Sequence, residues 1–167
     1  LVCYHDKLTP MKAIVYDAPR QFTYRDIDTP KISSDEVLLR VHACGLCGTD
    51  LHVHEGNFGP RFPLTPGHEF SGEIVELGSE VTGLKKGQRA TASTTIPCGK
   101  CFYCQRGDDL LCENLGGIGV EINGAFAEYI KLPSDRVFPI EKLSVREAVM
   151  IEPTACACHG MEVLAMK

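Results

Sequence analysis

Four cysteines, Cys98, Cys101, Cys104 and Cys112, constrain this chain more than any other feature. Their spacing is C-x2-C-x2-C-x7-C. Two-residue gaps let neighbouring thiolates converge on one ion, and four thiolates in a closed tetrahedron describe a structural zinc site. The intervening residues (Gly99, Lys100, Gln105, Arg106, Gly107, Asp108) cannot build a core. The lobe spanning 97–113 therefore has to draw its folding free energy from metal binding. A disulfide cluster is the competing reading. Nine cysteines without a secretory apolar segment fit a reducing, cytoplasmic setting, where metal binding outweighs disulfides.

Composition sets outer bounds. A chain of 167 residues suits one domain with a small lobe. A net charge of −5 with no basic block argues against a nucleic-acid or anionic-membrane partner. No apolar run approaches the roughly 18 residues of a membrane span.

Residues 1–10 read as an extension, with Cys3 and His5 as weak metal-ligand candidates, and Met11 as the start of a domain running to 167. Strands are expected at 11–16, 22–27, 37–43, 70–77, 88–95 and 125–132. In the third, Val37, Leu39, Val41 and Ala43 should face one way, and Leu38, Arg40 and His42 the other. Gly116-Gly117-Ile118-Gly119 lacks a correctly placed third glycine and a preceding strand, so it reads as a plain loop. Ser144-Val145-Arg146-Glu147 has capping-box form and predicts a short helix through Met150; Pro153 sits near the start of another, running to the chain end. The class is mainly β, with no βαβ rhythm.

A second constellation lies between Gly45 and Glu69. Cys47 and His68 on separate loops could hold a metal with an open position, and Glu69 could be a third ligand or a carboxylate orienting His68. Glu152, Cys156, Cys158 and His159 are further candidate ligands. Each has a plainer reading: Cys44 as a buried thiol, Cys158 as a helix core residue, His159 as a satisfied histidine.

Three motifs in order resemble one family. Gly67-His68-Glu69-x-x-Gly72 with Gly78 resembles the zinc signature of the zinc-dependent medium-chain alcohol dehydrogenases. Gly45-Leu46-Cys47-Gly48-Thr49-Asp50 resembles their catalytic-zinc loop, and the four-cysteine lobe their structural-zinc loop. The likeness implies a GroES-like, partly open β-barrel with short helices and two zinc ions per chain. It implies a catalytic zinc at Cys47, His68 and further ligands, acting as a Lewis acid on an alcohol or polyol so that hydride can pass to a nicotinamide. Thr49 matches the family hydroxyl that takes the substrate proton, and His52 the histidine that passes it to solvent. An N-cap hydroxyl and a surface imidazole are the plainer readings.

The last ligand is ambiguous. Glu152-Pro153 matches the polyol and threonine dehydrogenase branch, whereas Cys156 lies where other alcohol dehydrogenases carry a cysteine ligand. The polyol-type motifs favour Glu69 and Glu152 over Cys156. No strand with a Gly-x-Gly-x-x-Gly turn and helix occurs, so the dinucleotide-binding domain is absent from these residues. The expectation is a catalytic lobe inactive alone, with NAD(P) implied only for a full-length enzyme. Family members usually dimerise or tetramerise, largely through the cofactor domain. A stand-alone, non-catalytic zinc or interaction module is the alternative. Thr49 and His52 weigh against it, because a scaffold needs no proton relay.

Overall fold

The computed structural model describes residues 10–165. The extension, with Cys3 and His5, lies almost wholly outside the described residues.

The described residues open with a hairpin of β1 (Met11–Ala18) and β2 (Gln21–Ile27), in register from Met11 opposite Ile27. The main sheet is antiparallel and five-stranded. Its members are β3 (Glu36–Cys44), β4 (Phe70–Leu77), β5 (Arg89–Ala92), β8 (Tyr129–Pro133) and β9 (Val137–Pro139), in the order β8-β3-β4-β5-β9. A two-residue pair, β6 (Thr95–Ile96) with β7 (Gly116–Gly117), closes the base of the cysteine lobe. Among the described residues there are four α-helices, α1 (Gly48–Glu55), α2 (Phe102–Gln105), α3 (Val145–Ala148) and α4 (Ile151–Val163), and two short 3-10 turns, Asp109–Leu111 and Ser134–Arg136. Among the described residues no helix is long and apolar enough to cross a membrane.

β3 lies between β8 and β4 and carries the centre of the core. Val37, Leu39, Phe70, Ile74 and Leu132 are essentially inaccessible and pack together. Each contributes about 1.5–3 kcal/mol by leaving water. The alternation expected of β3 holds for Arg40 and His42, which are exposed, but not for Leu38, which is buried. Register shifts at Leu38/Leu39 and Val41/Ala43 re-aim the strand.

Several elements differ from the sequence expectation. Residues 125–128 do not extend β8; they bridge the hairpin to the main sheet. Phe126 O accepts from Ile14 N, Glu128 N donates to Lys12 O, and Glu128 O accepts from Val41 N. This splice bends the β structure into an incompletely closed barrel. The expected strand at 88–95 ends at Ala92, and a second, short one starts at Thr95. Gly116-Gly117 pairs as a strand rather than lying in a plain loop. α3 has its capping box, with Glu147 N donating to Ser144 Oγ and Ser144 N to Glu147 Oε2, but it stops at Ala148.

Candidate metal centres

Sheet register builds the first centre. Cys44 at the end of β3 lies opposite Phe70 at the start of β4, and Gly45 N donates to Glu69 O at 2.7 Å, extending the ladder. Cys47, three residues beyond Cys44, and His68-Glu69, just before Phe70, therefore leave the same end of the sheet. Ligand atoms of Cys47, His68 and Glu69 all lie within 4.8 Å of one another. Cys47 is the N-cap of α1, so it stands at a helix start and not on a free loop.

Asp50 ties these segments together. One carboxylate oxygen accepts from Cys47 N at 2.8 Å; the other accepts from Gly67 N at 3.2 Å and lies 3.8 Å from His68 Nδ1. Asp50 is 5% exposed and Val53 fully buried, so this face of α1 packs inward. His68 Nδ1 is itself buried and has no hydrogen-bond partner. A carboxylate beside Nδ1 favours the proton there and leaves Nε2 free for a metal. A thiol, an imidazole and a carboxylate converging in this way fit zinc.

Thr49 Oγ1 is 3.7 Å from Cys47 Sγ and accepts from it. His52, one turn along α1, is exposed and stacks edge-on with Phe58 at a centroid distance of 5.0 Å. On α4, Glu152 and Cys156 are one turn apart, and Cys156 Sγ donates to Glu152 Oε1 at 3.3 Å. Neither is part of the 4.8 Å grouping. The Cys156 thiol is raised chiefly by the bond to Glu152, then by burial, and also by the negative groups Glu152, Cys47 and Glu69. Cys158 and His159 are exposed, so Cys158 is not a helix core residue: α4 buries none of its side chains here. Cys44, beneath the centre, is pushed up to about 12, first by burial and then by Asp50.

The second centre is the lobe. The sulfurs of Cys98, Cys101, Cys104 and Cys112 lie within 4.8 Å of one another, with Cys101 to Cys104 at 3.5 Å. Backbone amides aim at them: Cys98 N and Asn114 N donate to Cys112 Sγ at 3.2 and 3.4 Å. The Cys101 thiol is lowered to about 6, chiefly by the Cys104 and Glu113 amides, and Cys98 is lowered by those of Lys100 and Cys101. Burial holds Cys104 up. Amides that stabilise thiolates before any ion arrives suit a thiolate cage. Phe102, Leu110 and Leu111 are all exposed, so these large apolar side chains build no core for the lobe.

Two residues with a clear structural part, Asp50 and Gly45, drew no role from the sequence. Asp50 had a readable signal: an acidic residue three after an N-cap is the spacing of a capping box. Gly45 had none.

The model of the alcohol dehydrogenase GroES-like domain family matches residues 33–142. D-arabinitol dehydrogenase 1 of Uromyces fabae is 47% identical over 157 residues, covering 94% of this chain and 45% of that protein. Sorbitol dehydrogenase of Halalkalibacterium halodurans is 39% identical over 155 residues, covering 90% and 45%. A zinc-binding dehydrogenase from Sinorhizobium meliloti 1021, solved with NADP, superposes with a TM-score of 0.88 at 39% identity, covering 93% of this chain and 46% of that one. The chain thus spans about half the length of the relatives it matches. Motifs, sheet architecture and relatives agree: the chain belongs to the zinc-dependent medium-chain alcohol dehydrogenase family, as its GroES-like domain.

Proposed function

We propose that this chain supplies the zinc-binding catalytic half of an NAD(P)-dependent dehydrogenase acting on an alcohol or polyol. The convergence of Cys47, His68 and Glu69 beside the Thr49 hydroxyl carries the reading. The printed activities of the relatives, D-arabinitol and sorbitol dehydrogenase, support a polyol as substrate, and the NADP-bound neighbour supports a nicotinamide acceptor.

Cys47, His68, Glu69 and Glu152 would hold the catalytic zinc, with Cys156 as the alternative to Glu152. Cys98, Cys101, Cys104 and Cys112 would hold a structural one, giving two per chain. When bound, the catalytic ion supplies Lewis acidity toward the substrate oxygen. The chain's own groups do the rest. Thr49 Oγ1 accepts the hydroxyl proton of the substrate and passes its own onward, and His52, exposed on α1, returns it to water. Asp50, 3.8 Å from His68 Nδ1, supplies the negative charge that favours a proton on that nitrogen when Nε2 meets the metal. The thiol-rich metal chemistry suits a reducing, cytoplasmic compartment.

Zinc counting on the purified chain tests the assignment. Wild type should carry two ions, and Glu152→Ala should lose one while Cys156→Ser keeps both. Loss in Cys156→Ser with retention in Glu152→Ala would transfer the ligand role to Cys156. A single ion in wild type would leave only the lobe.

A further inference from the structure

We infer that Gly45 is a positioning residue for Glu69, its missing side chain being the space that lets the Glu69 carboxylate lie in the metal cluster. This rests on the metal role proposed for Glu69. A Cβ at Gly45 would fall 2.3 Å from Glu69 Oε2, far inside contact distance. It would also stand 3.2 Å from Glu69 Cβ and 3.2 Å from Val149 Cγ1, both tighter than ordinary contact.

What yields is decided by stiffness. The Glu69 backbone is fixed, because its carbonyl accepts from Gly45 N at 2.7 Å and Phe70 next to it is buried in the core. The carboxylate is the far end of a flexible side chain and turns away at small cost. Gly45 does not have a left-handed φ, so alanine can adopt its backbone. Gly45→Ala should therefore keep the fold, with Glu69 Cβ and Val149 Cγ1 giving way by a few tenths of an ångström, and remove one donor from the cluster. Neighbouring Gly48 gives an internal contrast, since a Cβ there meets nothing within 4 Å.

The test is zinc competition against a chromogenic chelator, using the 167-residue chain loaded with two ions. The lobe zinc reports that each variant is folded. Gly45→Ala should weaken the mixed-donor site roughly 10- to 100-fold, as loss of a supporting group at a metal does. Gly48→Ala should match wild type. Glu69→Ala should weaken the same site, and the double variant Gly45→Ala/Glu69→Ala should be no weaker than Glu69→Ala alone. If Gly45→Ala binds like wild type while Glu69→Ala is weakened, the inference is wrong and the metal role of Glu69 stands. If the two losses multiply, Gly45 acts through something other than Glu69 and the inference is again wrong. If Glu69→Ala binds like wild type, the ligand reading itself fails, and the inference with it.

Discussion

Replacing Asp50 by asparagine isolates what one buried carboxylate does for both stability and metal binding. Asparagine has the same shape but only one acceptor oxygen, whereas Asp50 accepts from two backbone donors, Cys47 N and Gly67 N. One of them loses its partner. A hydrogen bond to a charged group is worth about 1.5–3 kcal/mol. At about 2–4 °C per kcal/mol for a chain of this size, Asp50→Asn should melt roughly 3–12 °C lower without metal. The second effect is on His68, whose Nδ1 lies 3.8 Å from the carboxylate. Losing that charge should weaken zinc at the mixed-donor site roughly 10- to 100-fold. A hundredfold loss removes about 2.7 kcal/mol of ligand-linked stability, so the zinc-loaded variant should fall further than the stripped one. Thermal unfolding by circular dichroism, with and without chelator, separates the two contributions. Equal melting and equal zinc affinity in Asp50→Asn and wild type would refute the reasoning.

Two further outcomes follow from the core and from Cys44. Leu39→Ala, at a fully buried position in the central strand, should cost about 2–5 kcal/mol, read as a lowered urea midpoint with unchanged slope. Cys44 holds its proton in the folded state up to about 12, against an ordinary value of 9.0. The stability linked to that proton is complete below about pH 9 and is lost as pH rises toward 12. The urea midpoint should thus fall more steeply between pH 9 and 11 in wild type than in Cys44→Ala; equal slopes would contradict it.

The parts of the fold legible in the sequence were those specified locally. Residues 37–43, with Val37, Leu39 and Val41, and Phe70–Leu77, with Phe70, Ile74, Val75 and Leu77, carry enough apolar and β-branched positions to announce themselves, and the cysteine spacing marked the lobe. What stayed hidden was set by partners distant in the chain. Gly116-Gly117 has no side chain with a strand preference; it pairs because Thr95-Ile96 lies beside it. Residues 125–128 look like strand because they are extended, yet their hydrogen bonds are shared among β1, β3 and the carbonyls of Pro66 and Gly67. β9 is three residues long and ends in Pro139, too short to show a period. α1 escaped because Gly48, Thr49 and two histidines are weak helix formers, and tertiary packing of Asp50 and Val53 overrides that. At the site, Cys47, His68 and Glu69 were legible as motif letters. The Glu152–Cys156 bond and the Gly45 space were not, because each depends on where another element passes.

The two donor sets differ in softness, so they are expected to prefer different metals. Four thiolates in the lobe favour soft ions such as cadmium or copper(I), whereas Cys47, His68 and Glu69 mix soft, borderline and hard donors and suit borderline ions such as cobalt(II). Metal titration of the stripped chain should therefore fill the lobe first with cadmium and the mixed site first with cobalt(II).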